Sequence, residues 1–221
     1  MQKRQKMQTA VKSVPRGTAP HQVRIIGGQW KRTPLPVLNA EGLRPTPDRV
    51  RETVFNWLGH LLAGDWTRIR CLDLFAGSGA LGFEAASRGA AQVTLVEQST
   101  PAVRQLEAVK AKLQAQQVTI LRADGLRLAQ DWAERAPADA ASGAPRFDLI
   151  FIDPPYHQEW LQKVLPLCAR LLSESGIVYV ETEAALDDDP AATWMSEWEI
   201  VRADRAGMVF YHLLQCKHGQ Q

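Results

Sequence analysis

The chain is poor in cysteine and in long apolar runs, and its first forty residues hold no acid at all. Its three cysteines, Cys71, Cys168 and Cys216, are odd in number, widely spaced and free of any CxxC pairing. That argues against both a disulfide framework and a zinc site, so a reducing, cytoplasmic setting is expected. The longest stretch without Asp, Glu, Lys or Arg is 53–64, well short of the roughly 18 apolar residues of a spanning helix. No apolar segment follows Lys3, Arg4 and Lys6 as a secretory signal would require. His60, His157, His212 and His218 lack metal-ligand spacing, so no metal is expected.

What is present suits one large domain, or one domain with an appendage: 221 residues, 45% hydrophobic and 23% charged. The formal net charge of +2 hides a split. Residues 1–70 carry 13 Lys/Arg against 4 Asp/Glu, a local +9, and residues 71–221 carry 13 against 20, a local −7. A basic segment whose first acid is Glu41 would attract a polyanion. A solvated tail or an acid-poor targeting segment would show the same charge.

Three regions are expected: a flexible basic arm over 1–22, a basic extension over 23–63 and a catalytic domain over 64–221. In the extension, short strands are predicted at 23–26 and 35–38, the second held at an edge by Pro34 and Pro36. A helix is predicted over 47–62, with Thr46 as its hydroxyl cap and Pro47 at its first position. Val50, Val54, Trp57, Leu58 and Leu61 form its apolar stripe.

From residue 64 onward strands alternate with helices, the pattern of a doubly wound, mostly parallel α/β sheet. Strands are predicted at 70–75, 92–96, 118–122, 147–152 and 176–181, and helices at 80–88, 101–115, 125–132 and 158–172. A closing antiparallel hairpin, 198–203 with 208–215, brings the sheet to seven strands. The run 134–146, rich in Ala and Pro, reads as a surface loop.

Two motifs carry chemistry. The first, 73–82 (DLFAGSGALG), spans the end of the first large-sheet strand and the start of its helix. Its candidate ligand-binding residues are Asp73, Ala76, Gly77, Ser78 and Gly79. Glycines let a ligand approach the backbone, and a helix N-terminus offers free N–H groups. Glu97, closing the next strand, can accept both hydroxyls of a ribose. Gly77, Gly79 and Gly82 with Glu97 also satisfy a dinucleotide fingerprint, and a tight turn with nothing bound would use the same glycines. Asp73 favours a cationic ligand, because a carboxylate beside a pyrophosphate is repulsive. Asp124 and Gly125 follow the third strand; Asp124 can accept an adenine amine or cap the next helix.

The second motif is Asp153-Pro154-Pro155-Tyr156, at the carboxyl edge of the sheet after an apolar strand. Two prolines hold the backbone so that the Asp153 carboxylate and Pro154 carbonyl can accept hydrogen bonds from one amine, while Tyr156 offers a face for a base. A nucleobase amine is a weak nucleophile, and this arrangement helps it rehybridise. Alone, the four residues would also suit a rigid turn.

Together these motifs resemble those of a Rossmann-like class I S-adenosylmethionine-dependent methyltransferase acting on an exocyclic amine. More closely, 24–28 (RIIGG), 44–52 (RPTPDRVRE) and 71–82 (CLDLFAGSGALG) resemble the RsmD family of bacterial 16S rRNA guanine-N2 methyltransferases, over roughly 23–215. The resemblance implies methyl transfer from S-adenosylmethionine to one guanine of 16S rRNA, alone or in the small ribosomal subunit. It places Gly77 and Gly79 against the cofactor, Glu97 on the ribose, Asp124 by the adenine, and Asp153, Pro154 and Tyr156 on the target base. Arg24, Trp30, Arg44, Thr46 and Arg49 are candidate RNA contacts; Arg44, Thr46 and Arg49 would equally close over the cofactor or simply start the helix. A monomer is expected. Rival readings are an adenine-N6 DNA methyltransferase, an RNA-binding assembly factor without turnover, and a nicotinamide oxidoreductase.

Overall fold

A computed structural model of the chain describes residues 22–37, 46–135, 146–154, 160–186 and 193–217. Two short strands, β1 (Gln22–Arg24) and β2 (Pro34–Pro36), pair antiparallel, and helix α1 (Asp48–Leu61) follows. The large sheet is built from β3 (Arg70–Asp73), β4 (Gln92–Glu97), β5 (Val118–Arg122), β6 (Phe147–Ile152), β7 (Leu172–Thr182), β8 (Trp198–Ala206) and β9 (Val209–Cys216). Helices α2 (Ala80–Ser87), α3 (Thr100–Leu113), α4 (Gly125–Arg135) and α5 (Trp160–Leu171) fill the connections, and a short 3-10 turn, Thr193–Met195, precedes β8. No helix among the described residues is long and apolar enough to cross a membrane.

The strand order is β5-β4-β3-β6-β7-β9-β8, with β9 the strand that runs against its parallel neighbours. From β3 the chain winds outward to β5 and then returns to the other side of β3 as β6. The order therefore reverses between β3 and β6, where Asp73 pairs with Phe151. Such a switch point leaves a crevice at the carboxyl ends of the strands, because the two connections depart in opposite directions. Residues 149–152 of β6 are all buried, as expected of a parallel strand covered on both faces. One face packs against α1, α2 and α3, the other against α4 and α5.

The predicted elements are found with shifted ends. The second strand lies at 34–36 rather than 35–38, with Leu35 buried between the two outward-facing prolines. Helix α4 runs on to Arg135, and β7 starts directly after α5, at Leu172, with its register against β6 interrupted between Phe147 and Leu149. The hairpin strands are longer, reaching Ala206 and Cys216, and turn at Gly207 with φ +68°. The larger correction concerns Thr46: no side chain caps α1, and Pro47 takes the N-cap position. The arm expected over 1–22, apart from Gln22, and nearly all of the loop expected over 134–146 lie outside the described residues.

The extension is seated on α2. Glu84, fully buried, accepts the Ile26 amide at 2.6 Å and the Gly27 amide at 2.8 Å. The Ser87 hydroxyl donates to the Gly27 carbonyl at 2.6 Å and accepts the Trp30 amide at 2.9 Å. This explains why α2 is buried almost all round: the sheet covers one side and the extension the other. Arg51 is fully buried in the same interface and donates to Asp48 Oδ1 at 2.7 Å and to the Arg24 carbonyl at 2.9 Å. Burial depresses its guanidinium pKa, while Asp48 and Glu84 pull it back up.

Candidate active site

Asp73 ends β3 at the switch point and is only 2% exposed. Its Oδ2 accepts the Gly82 amide at 3.1 Å, bracing the first turn of α2 from across the loop. Its Oδ1 is buried with no hydrogen-bond partner. Burial pushes the carboxyl up to about 7, the Gly82 and Phe75 amides act in the opposite direction, and Glu97 adds a smaller push upward. An unpartnered buried carboxylate oxygen is costly, and a bound cation would relieve that cost.

The three glycines of the loop differ in purpose. A Cβ on Gly82 would fall 2.1 Å from Leu95 Cδ2, so this glycine lets α2 lie close on β4. At Gly79, with φ +76°, a Cβ would strike Phe83 and Leu106 at 2.6–2.7 Å. Gly77, with φ +49°, has nothing closer than the Phe75 carbonyl at 4.0 Å. Space over the loop is thus open at Gly77 alone of the three. Ala76 is buried and donates to the Val96 carbonyl at 2.9 Å, and Ser78 is partly buried beside Gly77.

Glu97, at the end of β4, accepts the Gly77 amide on Oε2 at 2.9 Å and the Ser99 amide on Oε1 at 2.7 Å. Asp124 accepts the Arg127 amide on Oδ1 at 3.1 Å, so it does cap α4. Gly125 is buried where a Cβ would meet the Leu74 carbonyl at 2.4 Å. That close approach brings the start of α4 against the end of β3.

Asp153 follows β6 next to Asp73 and is partly buried, as is Pro154. Its carboxyl is pushed well above the usual range, first by burial and then by the charges of Glu181 and Asp73. Thr46 reaches in from the extension. Its hydroxyl lies 2.5 Å from Glu181 Oε1 and 3.4 Å from Asp153 Oδ2. Tyr179 donates to the same Glu181 oxygen at 2.7 Å. Glu181 is also raised by burial, against which Thr46 and Tyr179 act.

Sequence reasoning missed Glu181 and Tyr179. A signal was present: like Asp73 and Glu97, Glu181 is an acid near the carboxyl end of an apolar strand. Of the candidate RNA contacts, Arg24 is exposed but paired with Asp48 at 2.7 Å, and Arg49 is exposed near the Tyr211 hydroxyl. Trp30 is partly buried against the core. Tyr156 and Arg44 lie outside the described residues.

The family described as "Conserved hypothetical protein 95" matches residues 23–215. A protein of Haemophilus influenzae named ribosomal RNA small subunit methyltransferase D is 38% identical over 207 residues, covering 93% of this chain and all of its own length. Its namesake in Escherichia coli (strain K12) is 37% identical over 203 residues, covering 91% and 93%. Among solved structures, the yhhF protein of Escherichia coli superposes with a TM-score of 0.71 at 37% identity, covering 89% of this chain and 99% of that one.

Proposed function

This chain belongs to the conserved hypothetical protein 95 family, the RsmD family, and from that membership we propose that it is a cytoplasmic methyltransferase of small-subunit rRNA. The donor is S-adenosylmethionine and the acceptor the exocyclic N2 of one guanine in 16S rRNA. The observation that carries this reading is the placement of Asp73 and Asp153 at the carboxyl ends of the adjacent strands β3 and β6, near enough that the charge of Asp73 raises Asp153. The first has a buried oxygen without a hydrogen-bond partner, which suits a cation; the other lies at the neighbouring strand end, before Pro154.

The described residues fit the cofactor. Asp73 Oδ1 would accept its ammonium group, the open backbone at Gly77 would lie against it, Glu97 would exchange its amide partners for ribose hydroxyls, and Asp124 would keep Oδ2 for the adenine amine. Ala76, Ser78, Gly79 and Gly125 shape the walls. When bound, S-adenosylmethionine supplies an electrophilic methyl group on a sulfonium. Asp153 and the Pro154 carbonyl would accept hydrogen bonds from the two N–H groups of N2, directing its lone pair toward the methyl, and Tyr156 would offer its ring to the base. Orientation and fixed negative charge do the catalytic work. A base within folded RNA must leave its stack to reach such a site, and the basic extension would hold the surrounding phosphates.

The test is transfer of labelled methyl to rRNA in small subunits from a deletion strain, with the modified nucleotide mapped by mass spectrometry. N2-methylguanine at one position, restored by complementation, is the expected result. Label appearing only in DNA adenine would favour an adenine-N6 methyltransferase. Cofactor and rRNA binding without any transfer would favour an assembly factor, and calorimetric preference for NAD would overturn the cofactor assignment.

A further inference from the structure

Glu181 and Thr46 form a buried pair whose arrangement has a direction. The Thr46 hydroxyl carries one proton, and at 2.5 Å against 3.4 Å it is directed to Glu181 rather than to Asp153. Glu181 Oε1 receives a second donor, the Tyr179 hydroxyl. Two donors on one oxygen define Glu181 as the acceptor end. With that proton committed to Glu181, the Thr46 oxygen, 3.4 Å from Asp153 Oδ2, is left able to accept from Asp153 whenever Asp153 carries a proton. Thr46 and Glu181 are 7% and 6% exposed, so bulk water does not readily substitute for either. Thr46 has no role as a helix cap to account for its position.

Resting on the functional reading above, we propose that Thr46 and Glu181 are positioning residues that clear the proton from Asp153 after each methyl transfer. The N2 lone pair forms the new N–C bond as the C–S bond breaks with its electron pair left on sulfur, and N2 then sheds one proton to Asp153 Oδ2. Asp153 passes this proton to the Thr46 oxygen, and the original hydroxyl proton of Thr46 moves to Glu181 Oε1. Asp153 is left ionised and able to accept the next amine, and Glu181 releases the proton through the 6% of its surface that reaches solvent before the next turnover. The other ionisable groups around the pair are Asp73 on β3, Tyr179 on β7 and Tyr211 on β9. None of them bonds Thr46.

The experiment compares full-length wild-type protein with Thr46→Val, Thr46→Ser and Glu181→Gln. Valine keeps the shape of threonine without the hydroxyl, and glutamine keeps an acceptor oxygen but takes no proton. Thr46→Val and Glu181→Gln are expected to lower kcat at least about 10-fold near neutral pH, with the deficit shrinking as pH rises. KM for rRNA and cofactor Kd should stay within about threefold, and Thr46→Ser should restore the rate. In cofactor-free protein, carboxyl 13C NMR should show the Asp153 titration falling in Glu181→Gln, because a neighbouring negative charge is gone. Wild-type kcat and pH profile in Thr46→Val, or an Asp153 titration unmoved by Glu181→Gln, overturns the proposal. These failures in a wild type that methylates guanine N2 sink the relay alone. A wild type that transfers nothing sinks the functional reading on which it rests.

Discussion

Gly28 approaches Ser87 so closely that a Cβ on the glycine would stand 1.9 Å from the Ser87 carbonyl oxygen. The Gln29 amide donates to that same oxygen at 2.8 Å. The glycine pair of 24–28 thus serves to seat the extension on α2, and Arg24 of the same block ties down the start of α1, just after Thr46, through Asp48 and Arg51.

Gly28→Ala should therefore cost roughly 3 kcal/mol or more, combining a backbone clash with a left-handed conformation at φ +75°. Gly64→Ala has the same φ but no heavy atom within 4 Å, so about 1 kcal/mol is expected. Urea unfolding of both variants checks the contrast. Equal losses would mean that the close contact with Ser87 has no energetic weight.

Asp73 makes the cofactor-free protein pH-sensitive. Its folded-state pKa of about 7 lies above the ordinary 3.8, so between these values the folded chain binds more protons than the unfolded one. Its contribution is full below the unfolded pKa and is lost as pH rises through the folded one. Asp73→Asn should flatten this dependence and leave the free protein more stable than wild type at pH 8, by a few kcal/mol (~1.4 per pKa unit), as read from thermal melts. The same variant should lose measurable cofactor affinity.

Proton linkage to binding follows from the same oxygen. An ammonium group against Asp73 would draw its pKa back down, so S-adenosylmethionine binding near pH 6 should release up to about one proton. Calorimetry in buffers of different ionisation enthalpy measures this. Proton uptake, or no exchange at all, would contradict the placement of the ammonium beside Asp73.

Asp153→Ala should reduce methyl transfer by roughly 10³-fold, the scale of losing a group that acts on charge developing in the transition state. Cofactor Kd should change little, because no cofactor contact is assigned to this residue. Single-turnover kinetics together with calorimetry separates the two effects.

Asp124 caps α4, and its proposed contact with the adenine amine can be separated from that cap. Asp124→Ser keeps a hydroxyl cap for α4 and should stay within a few tenths of a kcal/mol of wild type, whereas Asp124→Ala should lose about 1 kcal/mol. Both should weaken cofactor binding if Oδ2 holds the adenine amine. Denaturation midpoints and Kd values of the two variants distinguish cap from ligand.

Much of this protein is written locally. Apolar runs such as 149–152, ended by Asp153 and Pro154, and the glycines after Asp73 mark strand ends and turns through short-range patterning alone. That patterning is enough for the α/β alternation, the closing hairpin and the order of the acids along the chain. The motif at 71–82 and the basic blocks before it carry the family in the same way, by residue type and spacing.

Tertiary structure decided which of these residues meet. Locally, Thr46 before Pro47 reads as a helix cap, yet its hydroxyl bonds Glu181, 135 residues away. The RIIGG block reads as a short strand ending in a glycine pair, yet its glycines serve a contact with α2 nearly 60 residues on. Glu181 became part of the site only when β7 was laid beside β6, bringing its charge to Asp153. Local propensity sets each segment's own conformation; it holds no term for a partner that arrives through sheet order and burial.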